Sequence, residues 1–220
     1  MSSNRLKEGV MMKYFERWLP VIGLLVLFSG PVQAESAVPF TESVVIFNTV
    51  CAKCHEAECS GRLSFDDCYE VSRNHIIRHY GAAADKLWLQ RELYSILNYT
   101  KEQCAYYPMD MAIPATKVWS GEVLQRMSTI PKRNYFVPVG ILAPGQFRIE
   151  LEMDENVRVT VHLMSEKFDM VVEDCLEPTE KSLHIPVTIT EPGDYYFRLY
   201  PRRPVRINRL AIVEDGEADH

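Results

Sequence analysis

The hydrophobic period of this chain changes once, and that change limits what it can fold into. Up to about Ile130, apolar residues recur every three or four positions; beyond it they recur every second position. Phe147, Ile149 and Leu151 alternate with Arg148, Glu150 and Glu152, and Val157, Val159, Val161 and Leu163 alternate with Arg158, Thr160 and His162. Ile185, Val187 and Ile189 repeat the pattern. Turn signals at Pro144-Gly145, Asp154-Glu155-Asn156, Glu177-Pro178 and Pro192-Gly193-Asp194 separate the runs. One kind of element cannot satisfy both periods. The chain therefore reads as α + β in two domains: an all-α domain over residues 35–130 and an antiparallel β-sandwich of about seven strands over 131–220. The polar run Pro131-Lys132-Arg133-Asn134 is the junction. With 220 residues, 47% of them hydrophobic, there is enough apolar material for both cores.

Residues 1–34 read as a separate unit. Arg5, Lys7, Lys13 and Arg17 precede an apolar run from Leu19 to Phe28, and Val32-Gln33-Ala34 supplies the small residues a signal peptidase needs. Cleavage is expected between Ala34 and Glu35. The apolar run is about half of the ~20 residues a spanning helix requires, so no integral span is expected after cleavage. The mature protein is expected in the periplasm, or otherwise exported. Removing residues 1–34 leaves 20 basic against 28 acidic residues and a formal charge of −8. That balance, with no Lys/Arg-rich run, excludes a nucleic-acid binder and favours basic partners.

Helical spacing begins at Thr41, where Val44, Phe47, Cys51 and Cys54 recur at intervals of three and four. Such a helix brings both thiols of Cys51-Ala52-Lys53-Cys54-His55 to one side, with His55 four residues after Cys51. In an exported chain this spacing predicts covalent attachment of one haem through Cys51 and Cys54, with His55 as the proximal iron ligand. A zinc site lacks a second ligand pair, and a thioredoxin-like dithiol lacks the preceding strand. Residues 56–70 read as loop. Helices are expected at about 72–80, 83–103 and 116–127, and Tyr106–Pro114, with two prolines, as a loop.

Residues 43–55, Ser-Val-Val-Ile-Phe-Asn-Thr-Val-Cys-Ala-Lys-Cys-His, resemble the first helix of class I c-type cytochromes, and the resemblance extends more weakly over 41–127. It implies a small cytochrome c-like helical domain around one haem c. It also implies a distal methionine ligand on the loop before the last helix, here Met109 in Tyr107-Pro108-Met109. The pattern departs from the family in having Gly61-Arg62-Leu63 after the motif, and in lacking the aromatic near the end of the last helix. From the residues alone Met111, His75 and His79 stay open as rivals to Met109. Thioether ligation raises the reduction potential relative to two imidazoles, and six-coordinate iron favours electron transfer.

Cys59, Cys68, Cys104 and Cys175 are expected to form two disulfides in an oxidising compartment, with Cys59–Cys68 and Cys104–Cys175 as one pairing. In the β-domain, Tyr195, Phe197 and Leu199 read as a core face. Tyr196, Arg198 and Tyr200 read as an open face beside Arg202, Arg203, Arg206 and Arg209. These arginines are either solvated and locally paired, or a docking surface for an acidic redox partner or the haem propionates. Pro192-Gly193 and the strand after it resemble secreted β-sandwich modules, including carbohydrate-binding ones, although Trp18, Trp88 and Trp119 all lie outside residues 131–220. No serine–histidine–acid set, paired catalytic carboxylates or phosphate loop is present, so no enzyme is expected. The leading expectation is an electron-transfer protein with a redox partner protein. The alternatives are a haem-based small-ligand sensor or enzyme, and a glycan- or protein-binding module with an auxiliary haem.

Overall fold

The computed structural model describes residues 41–55, 68–109, 111–129 and 132–215, and the described residues belong to one compact unit, Val38–His220. The expected leader, residues 1–34, lies outside them. A first helical run comprises α1 (Thr41–Ile46), a π-turn (Phe47–Cys51) and α2 (Ala52–His55). Next come α3 (Tyr69–His79), a 3-10 turn (Gly81–Ala83) and α4 (Leu87–Gln103). Cys104, in the left-handed conformation at φ 51°, ends α4.

Among the described residues eight strands follow: β1 (Val118–Ser120), then after α5 (Gly121–Arg126) β2 (Tyr135–Leu142), β3 (Gly145–Met153), β4 (Val159–Ser165), β5 (Met170–Leu176), β6 (Ser182–Ile189), β7 (Gly193–Pro201) and β8 (Ile207–Glu214). They form two antiparallel sheets, in the orders β1-β8-β3-β6 and β2-β7-β4-β5. The expected C-terminal sandwich is present. Alternation made it legible: Phe147, Ile149, Leu151 and Met153 of β3 face Val159, Val161 and Leu163 of β4 and Tyr195, Phe197 and Leu199 of β7 in one buried core. Each such side chain contributes roughly 1.5–3 kcal/mol by leaving water, so a one-residue slip in register is heavily penalised.

The segment expected as the last helix, 116–127, is split. Val118–Ser120 pairs with Ala211–Arg209 of β8, and only Gly121–Arg126 is helical. Trp119, placed by sequence outside the sandwich, is a strand residue buried to 1% exposure. The change of period at Ile130 therefore falls inside the sandwich, one strand after its start. Gly121 allows a close approach there: a Cβ would stand 3.1 Å from the Ile207 carbonyl oxygen and 3.2 Å from that of Asn208, so a larger residue needs the β8 backbone to give by a few tenths of an ångström.

The first helical run lies on the outer face of the β2-β7-β4-β5 sheet, whereas α5 packs against β8. Phe136 and Arg198, directly opposed in register, and Met164, opposite Tyr196, are all at 1% exposure or less. Tyr106 covers them from the strap after α4. Its ring is 4.2 Å from that of Tyr196 and 5.6 Å from that of Phe136, and its hydroxyl is 3.4 Å from the Met164 sulfur. The face expected to be open is thus closed, and Arg198 is not available for docking.

Candidate functional site

The first helical run presents the motif in two directions at once. Asn48 Nδ2 and Thr49 Oγ1 donate to the carbonyls of Val44 and Val45, at 3.0 and 2.7 Å, and the backbone widens into the π-turn, whose end the Ala52 N–H closes on the Phe47 carbonyl. Toward the sandwich, Asn48 Oδ1 lies 3.4 Å from Arg198 Nη2, Ala52 is buried, and Lys53 Nζ sits 4.8 Å above the Tyr200 ring. Away from it, Cys51, Cys54 and His55 line a cavity of about 630 Å³. The two non-cysteine positions inside the motif therefore anchor it, and the three chemical ones are left for a ligand.

The opposite walls come from α3, through Val71, Ser72, His75, Ile76 and His79, and from α4, through Leu93 and Leu97. Phe47 and Val50 complete the apolar side. His55 is 7% exposed. Its ring centroid is 5.6 Å from that of His75 with the planes at 76°, and His75 is 4.4 Å from His79. Burial, reinforced by the neighbouring Cys54, pushes the Cys51 thiol up to about 12. Burial is also the first cause holding the His75 imidazole below its usual range, followed by His79, His55 and Arg78.

Of the residues singled out by sequence, the structure brings together Cys51, Cys54, His55, His75 and His79. Met109 and Met111 are half-buried against the core, and neither is among the described residues that line the cavity. The segment after the motif, 56–67, with Cys59 and Gly61, lies outside the described residues. Cys68 and Cys175 are exposed free thiols, so neither expected pairing, Cys59–Cys68 or Cys104–Cys175, is formed. Cys104 is disulfide-bonded. Cys175 sits on β5, 3.2 Å from Nε of Arg158 on the strand side of the molecule. Sequence spacing does not report whether two sulfurs come within bonding reach.

Sequence reasoning missed Gln90. It is 1% exposed, and its amide is fully used: Nε2 donates to the carbonyls of Ala83 and Ala84 at 2.7 and 3.0 Å, while Oε1 accepts from Tyr69 Oη and Arg73 Nε at 3.3 and 3.1 Å. One buried side chain thus ties α3 and the 3-10 turn to α4. The only local signal was a polar residue beside Leu89 in an otherwise apolar stripe. On the other side of α4, Ser43 of α1 donates to Glu92.

No protein-family model matches this chain, and no curated protein matches it. Among solved structures it is similar to the C-terminal CBM6 of LamC, a marine laminarinase from Zobellia galactanivorans, at 22% identity and a TM-score of 0.28, over 37% of this chain and 72% of that one. It is similar to the Anabaena sensory rhodopsin transducer at 12% identity and a TM-score of 0.26, over 36% and 86%. A family 35 carbohydrate binding module from an environmental isolate gives 11% identity and a TM-score of 0.28, over 38% and 69%. Among the described residues no helix is long and apolar enough to cross a membrane.

Proposed function

We propose that the protein is an exported monohaem c-type cytochrome acting in electron transfer, with haem c held covalently by Cys51 and Cys54 and His55 as its proximal ligand. One observation carries this reading: both thiols and the buried imidazole open onto a single cavity of about 630 Å³. That volume lies within the roughly 300–1,000 Å³ usual for small-molecule and cofactor sites. Its apolar walls, Phe47, Ile76, Leu93 and Leu97, suit a flat hydrophobic macrocycle. A thioether carries no charge, which suits the desolvated position of Cys51, where burial pushes the free thiol up to about 12.

The bound haem would supply one-electron redox chemistry. The protein's part would be to hold it, through two covalent links and one imidazole, against the apolar walls of the cavity. The sandwich contributes the platform on which the motif helix rests, through Asn48 with Arg198 and Lys53 with Tyr200. A redox partner protein would be favoured by basic surface, given the acidic balance of residues 35–220.

Acid–acetone extraction of the full-length protein, expressed with export and haem-maturation machinery, tests the attachment. Haem is expected to stay with the polypeptide, with a sharp reduced α-band and a mass increase of one haem. The Cys51→Ala, Cys54→Ala double variant is expected to release it completely. Haem that extracts from the unaltered protein, or never binds, would end the proposal. The second reading is a glycan ligand for the sandwich, the ligand class that the names of two of the structures above give for those proteins. Glycan-array binding by a full-length protein that carries no haem would establish it instead.

A further inference from the structure

We propose that His75 of α3 is the second axial ligand, facing His55, so that the site is bis-histidine rather than histidine–methionine. This rests on the covalent haem attachment proposed above. An imidazole nitrogen stands about 2 Å from the metal it binds, so two imidazoles on opposite sides of one ion have ring centroids roughly 6 Å apart. His55 and His75 are 5.6 Å apart with their planes at 76°, an edge contact that a small separation of α2 and α3 would open to that spacing. They come from different elements and line the same cavity as both thiols. Met109 and Met111, the sulfur candidates, are not among its described lining residues.

The wall that carries His75 is also fixed. Tyr69 and Arg73, one turn apart on α3, donate to Gln90 of α4, and Ile76, one turn beyond Arg73 on the same stripe, is buried. With that stripe held against α4, the adjacent stripe of Ser72, His75 and His79 is directed at the cavity. His79, 4.4 Å from His75 and one turn further on, acts as a positioning neighbour that limits its ring rotation. Two imidazoles set a lower reduction potential than an imidazole and a thioether. This assignment therefore places the protein among low-potential carriers.

Spectroscopy of the haem-loaded, full-length protein decides the matter. The unaltered protein is expected to be low-spin, with the electron paramagnetic and magnetic circular dichroism signature of two imidazoles and without the far-red methionine-to-iron charge-transfer band. His75→Ala should turn the ferric form high-spin and let the ferrous form bind carbon monoxide, with added imidazole restoring the low-spin spectrum. His79→Ala, Met109→Ala and Met111→Ala should stay low-spin. His75→Met should gain the far-red band, which keeps the assignment open to test if the alanine variant does not accumulate. A far-red band in the unaltered protein, a high-spin unaltered protein, or a low-spin His75→Ala each overturns it. Acid–acetone extraction runs alongside: haem retained covalently with the wrong axial spectrum refutes only the ligand, whereas haem lost from the unaltered protein refutes the attachment beneath it.

Discussion

The two sheets each carry an arginine on a central strand, and their fates differ. Arg198 of β7 is 1% exposed, with its guanidinium 5.6 Å from the rings of Tyr106 and Phe136 and Nη2 3.4 Å from Asn48 Oδ1 and Tyr106 Oη. Arg209 of β8 lies on the uncovered face of the other sheet, 3.1 Å from Glu150 and 3.4 Å from Glu152. Together with Arg148, 3.2 Å from Glu150 and 2.8 Å from Asp215, it forms a surface ion-pair row that holds the Glu150 carboxyl below the usual carboxylate range. Arg203 pairs likewise with Glu155 at 3.0 Å. Of the arginines named from sequence, Arg203 and Arg209 thus follow the locally paired reading. The same residue in the same alternating pattern becomes an anchor or a solvated charge according to what is laid over the sheet. In this protein the covering layer is the one that holds the thiols, so stability of the covered face and geometry of the cavity are linked.

Substituting Arg198 should produce the largest effect. Arg198→Ala removes a fully buried side chain that touches the first helical run, the strap and the sheet, and should cost about 3 kcal/mol, read as a lower urea midpoint. It should also loosen the cavity that Cys51, Cys54 and His55 line, seen as faster hydrogen exchange in residues 41–55. A loss under about 1 kcal/mol would mean that the helices do not depend on this contact.

Tyr135 tests the core between the sheets. Its hydroxyl, buried to 1% exposure, donates to the Val205 carbonyl at 2.8 Å. Tyr135→Phe leaves that acceptor unpaired and should cost about 1–2 kcal/mol at neutral pH. Burial pushes the Tyr135 hydroxyl up to about 12 from an ordinary 10.0, and that of Tyr196 likewise. Above pH 10.0 the unfolded chain loses protons that the folded one keeps, so this part of the stability is full below 10.0 and is lost as pH rises toward 12. Thermal unfolding between those values should fall less steeply in Tyr135→Phe. An unchanged alkaline slope would remove Tyr135 from the account.

Arg209→Ala should have the smallest effect. Exposed pairs contribute little, and the loss should stay below about 1 kcal/mol and shrink with added salt. A cost equal to that of Arg198→Ala would erase the contrast between the faces.

Some elements were readable in sequence because their pattern has a single cause. β3, β4 and β6 alternate because one side of each faces the shared core. β2 carries no such alternation, since Tyr135 through Gly140 are buried on both sides, beneath the helices as well as against the other sheet. β1 spans three residues, and its partner β8 lies about ninety positions away, so local periodicity assigned Val118–Ser120 to a helix. β5, an edge strand with largely exposed residues, had no apolar period to find.

The candidate site divides the same way. Cys51, Cys54 and His55 are adjacent in the chain, and the i, i+3, i+4 geometry of a helix follows from their spacing alone. The residues that complete the cavity come from α3 and α4, and their approach depends on Gln90, Tyr69 and Arg73 meeting through hydrogen bonds that no local pattern encodes. Sequence by itself determined the two kinds of element, the inner faces of the alternating strands and the grouping of Cys51, Cys54 and His55, because each is set by neighbours within a few residues. Only the tertiary structure decided which sheet face is covered, which thiols stay free and which imidazole stands opposite His55, because each depends on surfaces brought together from distant parts of the chain.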